Sequence, residues 1–112
     1  MESKIPNSEQ AWIPTEKLVN YLLSNVHPVG RSKAGFFRSC GYSESNLDVL
    51  KRDLLSVLIR STSADLAESQ FGRKYLVRGS VITPTGKTIE IQTVWIIESH
   101  DPRPRFVTAY PK

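Results

Sequence analysis

The sequence predicts an α+β domain, with about three N-terminal helices packed on one face of a C-terminal antiparallel sheet of three or more strands. Three observations carry this. Apolar residues recur at helical spacing between Thr15 and Arg60, the period falls to two from Arg73 onward, and the strand-like runs are separated by short turns. Sequential strands joined by short turns form a meander, and helices drawn from one half of a chain cover one of its faces. At 112 residues the chain has room for one domain, residues 1–112, with a core large enough to fold unaided.

Residues 1–14 read as an extended lead-in, because Pro6 and Pro14 flank Trp12 and Ile13 and proline both removes a donor and biases its predecessor toward extended backbone. The helical half is 15–60. Thr15 is the expected N-cap of the first helix, whose Leu18, Tyr21 and Leu22 share a face before Asn25 and Pro28 end it. Ala34 and Phe37 mark a second helix from Arg31 to Cys40, stopped at Gly41. Ser45 with Asp48 resembles a capping box for the third helix, which carries Leu47, Leu50, Leu54, Val57 and Leu58 in strict 3.6 period.

Ser61 to Gly72 is polar and weakly periodic, the pattern of a surface connection. The meander, 73–111, begins with Tyr75, Val77 and Val81 and continues after the loop Thr83 to Lys87 with Ile89, Ile91, Thr93, Trp95 and Ile97. A proline-rich turn, Asp101 to Pro104, leads into the strand Arg105 to Tyr110. Trp95, sharing its face with isoleucines, belongs in the core.

Fifteen Lys and Arg stand against eleven Asp and Glu, for a net charge of +4. Residues 1–60 hold eight basic and six acidic side chains and residues 61–112 hold seven and five, so neither half is a basic arm. Cys40 is the single cysteine, which excludes an internal disulfide and fits a reducing, cytoplasmic compartment. No apolar segment approaches the length that spans a bilayer, and the first residues lack the apolar core of a secretory signal.

Familiar catalytic patterns are missing. Gly86-Lys87-Thr88 imitates a phosphate-binding loop, but Val81 stands where the first glycine belongs and the segment joins strand to strand. Cys40, His27 and His100 lack zinc-site spacing, and neither a Ser-His-Asp nor a Cys-His arrangement is legible. What remains is a cluster of His27, Arg31 and Lys33. A histidine near neutrality can take a proton from a ribose 2′-hydroxyl while the cations stabilise charge developing on phosphate; the same residues also suit a helix cap and a solvated first turn. Thr108 and Tyr110, two apart on the last strand and expected to share a face with Phe106, can orient a phosphate or form an ordinary edge-strand face. Arg103 and Arg105 can grip phosphate or sit in a solvated turn.

The strings Lys17-Leu-Val-Asn-Tyr-Leu-Leu-Ser, His27-Pro-Val-Gly-Arg-Ser-Lys-Ala-Gly-Phe-Phe, Phe71-Gly-Arg-Lys-Tyr, Thr83-Pro-Thr-Gly-Lys, Thr93-Val-Trp-Ile-Ile and Pro104-Arg-Phe-Val-Thr-Ala-Tyr-Pro resemble a family of small bacterial proteins described as a domain of unknown function. Members of that family often stand beside another small protein, which implies a toxin–antitoxin-type pair with a small partner protein encoded nearby. The order of elements also resembles the metal-independent ribonuclease toxins of the barnase, colicin and RelE type. Carried over to this sequence, the resemblance implies an RNA-cleaving domain without cofactor or metal, with His27, Arg31, Lys33, Thr108 and Tyr110 around one cleft and Arg103 and Arg105 on the substrate. The alternative is a non-enzymatic interaction domain, the partner or neutralising half of such a pair, in which Arg105 to Tyr110 or the strand at Arg73 is an exposed edge that pairs with another chain. Sequence-specific DNA binding lacks a recognition helix rich in Arg and Lys.

Overall fold

The computed structural model describes residues 5–24, 26, 31–61 and 64–112, with the backbone alone for Arg31 and Ser32. Among these, three helices precede a four-stranded antiparallel sheet of order β1-β2-β3-β4. Helix α1 starts as an α-helical turn, Thr15–Lys17, and continues as a π-helical turn, Leu18–Leu22, closed by Leu23 N–H donating to Leu18 O at 2.8 Å. Helix α2 is Arg31–Ser39 and α3 is Leu47–Arg60. The strands are β1 Asp65–Ser69, β2 Gly72–Ile82, β3 Thr88–Glu98 and β4 Asp101–Pro111. None of the described helices is long and apolar enough to cross a membrane.

The core lies between α3 and the face of the sheet carrying Tyr75, Val77, Ile91 and Trp95, with Leu18, Leu22 and Phe37 joining from the first two helices. Trp95 is fully buried and meets Phe106 edge-on, ring centroids 5.4 Å apart. Its indole N–H donates to Thr93 Oγ1 at 2.8 Å, and Thr93 Oγ1 donates to Val77 O at 3.0 Å, so these two buried side chains have their polar atoms paired. Gly79 lets α3 rest on β2: a Cβ there would stand 3.0 Å from Val57 Cγ1.

Several details differ from the sequence reading. The polar stretch after α3 contains β1, because β2 supplies its pairing, Leu66 opposite Tyr75, although β1 has no buried face of its own. Asp101 to Pro104 is the start of β4, where the missing proline donors are tolerated because β4 lies at the sheet's edge. That edge is partly covered. Trp12 N–H donates to Pro104 O and Phe106 N–H donates to Trp12 O, both at 3.0 Å, in an isolated parallel bridge. The strand at Arg73 has β1 and β3 on its two sides from Arg73 to Leu76, and beyond Leu76 it is paired by β3 alone among the described residues. The capping box is formed by Ser43 and Asn46 ahead of a 3₁₀ turn, Glu44–Asn46, rather than by Ser45 and Asp48. Thr15 makes no cap, and its hydroxyl accepts from Lys51 Nζ at 2.8 Å.

Tyr42 ties the start of α3 to its middle by donating to Asp53 Oδ2 at 2.6 Å, both side chains being buried. Burial and then the Asp53 carboxylate hold the Tyr42 phenol above its usual pKa. Tyr42→Phe is expected to cost about 1–3 kcal/mol in urea denaturation with native circular dichroism retained, because it leaves a buried carboxylate oxygen short of a donor. An unchanged midpoint would remove this bond from the stabilising set.

Candidate functional site

The last strand does not alternate evenly. Val94 pairs with Thr108, but Trp95, one residue on, pairs with Phe106, so Val107 is an extra residue in β4. Phe106 therefore enters the core opposite Trp95, while Thr108 and Tyr110 fall opposite Val94 and Gln92 on the other phase of β3. The expectation that Phe106 shares a face with Thr108 and Tyr110 is corrected by this bulge.

Freed from the core, Thr108 Oγ1 lies 2.9 Å from the Tyr21 hydroxyl, and either oxygen can be the donor. Lys33 Nζ, from the first turn of α2, donates to the same hydroxyl at 3.0 Å. Tyr21 thus joins the first helix, the second helix and the last strand at one oxygen. Two ammonium groups also approach its ring, Lys17 Nζ at 5.2 Å and Lys33 Nζ at 5.3 Å from the centroid. Burial pushes the phenol pKa up, but the hydrogen bonds of Lys33 and Thr108, followed by the charges of Lys33 and Lys17, outweigh it and bring the phenol below the ordinary tyrosine value. A half-buried phenol with a lowered pKa and a lysine on its oxygen is suited to giving up a proton and holding the resulting charge.

Of the residues singled out in the sequence, Lys33 and Thr108 meet across Tyr21. Arg31 opens α2, with its side chain outside the described set, and His27 lies outside the described residues. Tyr110 is next along β4 from Thr108 on the same phase, and its hydroxyl accepts from Gln92 Nε2 at 2.7 Å. Arg103 is held by Asp101, whose carboxyl it keeps down at about 2, and its guanidinium stacks 5.0 Å from the Trp12 ring centroid. Arg105 pairs with Glu98 Oε1 at 3.0 Å. Tyr21 is not legible as a site residue in the sequence, because its spacing with Leu18 and Leu22 reads as core. The signal that separates it, a π-helical turn, has no sequence signature, although such turns gather at functional sites.

A family model described as "Domain of unknown function (DUF6883)" matches residues 4–112. The chain belongs to the DUF6883 family. No curated protein sequence matches it at a significant level. Among solved structures, this DUF6883 chain is similar in fold to a chain from a contact-dependent growth inhibition toxin–immunity protein complex of Klebsiella pneumoniae 342, with a TM-score of 0.72 at 16% identity over 95% of this chain and 97% of that one. At that identity the likeness is one of fold.

The Tyr21 environment predicts its titration. Tyrosine ring-carbon NMR should find one phenol ionising below the ordinary range, and Lys33→Met should move that midpoint upward, since burial then acts with less opposition. The folded-state pKa is the lower one, so the linked gain in stability appears as pH rises through it, is fully present above the ordinary tyrosine value, and is lost as pH falls back through the folded-state value. A midpoint that ignores Lys33→Met would contradict the geometry.

Proposed function

We propose that this chain is a metal-independent RNA-cleaving domain, the toxin-like half of a toxin–antitoxin-type pair restrained by a small protein partner. The observation that carries the reading is the meeting of Lys33, Tyr21 and Thr108 at one hydroxyl, which gathers proton-donating, cationic and phosphate-orienting groups from three separate elements. The fold likeness to a chain of a toxin–immunity complex supports membership of such a pair, in either half.

The chemistry is transesterification by the neighbouring ribose oxygen. A base removes the 2′-hydroxyl proton, O2′ bonds to phosphorus, and the P–O5′ bond breaks as O5′ receives a proton, leaving a 2′,3′-cyclic phosphate and a 5′-hydroxyl. His27 is assigned the base and Tyr21 the acid, with Lys33 stabilising the phenolate left behind. Arg31 and Lys33 offset the charge gathering on the phosphorane oxygens, and Thr108 and Tyr110 orient the phosphate. Arg103 and Arg105 are the weaker substrate contacts in this scheme, because Asp101 and Glu98 already hold their guanidinium groups.

A second reading, an interaction domain that is itself the neutralising half, is favoured by one observation. The outer side of α3 carries an open apolar groove around Leu55 and Ile59, the latter 49% exposed, rimmed by Lys51, Arg52 and Arg60.

Purified protein is expected to cleave single-stranded RNA in excess EDTA. His27→Ala, Lys33→Ala and Tyr21→Phe should each lower the rate ~10²–10³-fold with native circular dichroism retained. RNA left intact by the wild-type chain under all conditions would sink the nuclease and leave the interaction reading.

A further inference from the structure

Strand β2 has eleven residues and β1 has five, and β1 pairs only with Gly72 to Leu76. Among the described residues, the outer edge of β2 from Val77 to Ile82 therefore has no strand neighbour on the β1 side. Against that edge lies the C-terminal end of α3, and between them is a cleft of about 280 Å³ lined by Ser56, Arg60 and Ser61 from the helix end and Arg78, Gly79 and Ser80 from the strand.

The charges in this cleft are unbalanced. Among the described residues the ion pairs engage Arg38, Arg52, Arg73, Arg103 and Arg105, whereas Arg60 and Arg78, both exposed, have no carboxylate within ion-pair distance. Ser56 Oγ is committed as a donor to Asp53 O, so the donors offered to a ligand are the two guanidinium forks, the exposed Ser80 hydroxyl, and the N–H groups of an open strand edge. Two such forks around a small cleft suit the oxygens of a phosphate. The counter-charge is Asp65, which with Arg78, Leu76 and Gln92 lines a neighbouring cleft of about 140 Å³.

Arg78 also starts a row. It pairs across the sheet with Gln92, and Gln92 with Tyr110, whose hydroxyl holds the Gln92 amide. Strands lie about 4.8 Å apart, so the row covers roughly 10 Å and ends one β4 step from Thr108 and the Tyr21 junction. Amide and half-exposed aromatic side chains beside phosphate-binding arginines are the features that hold single-stranded RNA, by base stacking and edge hydrogen bonds. An acidic protein strand added to the β2 edge would use the cleft but leave this row idle.

We propose that the Arg60–Arg78 cleft binds a backbone phosphate of single-stranded RNA, a few nucleotides from the scissile bond, with the strand crossing the sheet over Gln92 and Tyr110. The proposal rests on the nuclease reading for its substrate class, and binding separates the two. The probe is a 2′-O-methyl oligoribonucleotide, which cannot be cleaved by its own 2′-oxygen, titrated against the full chain over a range of salt concentrations. The double variant Arg60→Ala/Arg78→Ala should bind it at least about tenfold more weakly at low salt, and the slope of log affinity against log salt should shrink by about 0.7 for each phosphate that is no longer neutralised. Arg60→Lys/Arg78→Lys should keep most of the slope, which guards against loss through misfolding. Unchanged affinity and slope in the alanine variant, or failure of the wild-type chain to bind the probe, would overturn the proposal. So would a polyglutamate peptide whose binding is abolished in that variant while RNA binding is not, since the cleft would then take an acidic protein segment. Binding without cleavage of ordinary RNA leaves the cleft standing and removes the nuclease; cleavage with an unchanged salt slope does the reverse.

Discussion

The bulge at Val107 is the constraint on which the site depends. Upstream of it β4 delivers Phe106 to the core against Trp95, and downstream it delivers Thr108 to the Tyr21 hydroxyl. One extra residue thus lets a single strand serve two purposes that strict alternation would oppose, since a one-residue shift of register exchanges every side chain between faces. The strand's other edge is fixed by Trp12, whose two backbone hydrogen bonds to β4 flank Arg105. Held on both sides, the segment is a firm support for side chains that must keep their geometry.

The second constraint is the change from α- to π-helical winding inside α1. Leu18 and Leu22 remain fully buried, as an amphipathic helix requires, yet Tyr21 between them brings its oxygen to a lysine and a threonine. The phenol ring supplies packing area and the hydroxyl supplies chemistry, a division that makes tyrosine useful where a core meets a cleft. Net charge acquires its meaning in the same way. The even spread of cations along the chain gives no basic arm, but folding sorts them: Arg38, Arg73, Arg103 and Arg105 are neutralised by acids, while Lys17 and Lys33 converge on Tyr21 and Arg60 and Arg78 on the β2 edge.

Much of the architecture is legible in the sequence because burial imposes a period. The α3 repeat of Leu50, Leu54, Val57 and Leu58 and the β3 alternation of Ile91, Thr93 and Trp95 are direct consequences of which side chains meet the core. Strand β1 is hidden for the converse reason: it buries little, so its sequence carries no alternation and its existence depends on β2. The prolines at 102 and 104 suggest a turn because their tolerance in a strand depends on lying at an edge, which is a property of the sheet and not of the local sequence. At the site, Lys33 and Thr108 are recognisable by residue type. Tyr21 is not, because a bulge and a π turn decide its partners, and neither is written in the spacing of apolar residues.

The central claim is that the Tyr21 junction drives attack by a ribose 2′-hydroxyl, and the chemical nature of the product ends tests it most directly. Mass spectrometry of RNA treated with the purified chain should find 2′,3′-cyclic phosphates facing 5′-hydroxyls, and a substrate with a single 2′-deoxy sugar at the cleaved position should stay intact. Products bearing 5′-phosphates and 3′-hydroxyls, or cleavage that is indifferent to the 2′-deoxy substitution, would contradict the account, because the attacking oxygen would then come from water rather than from the sugar.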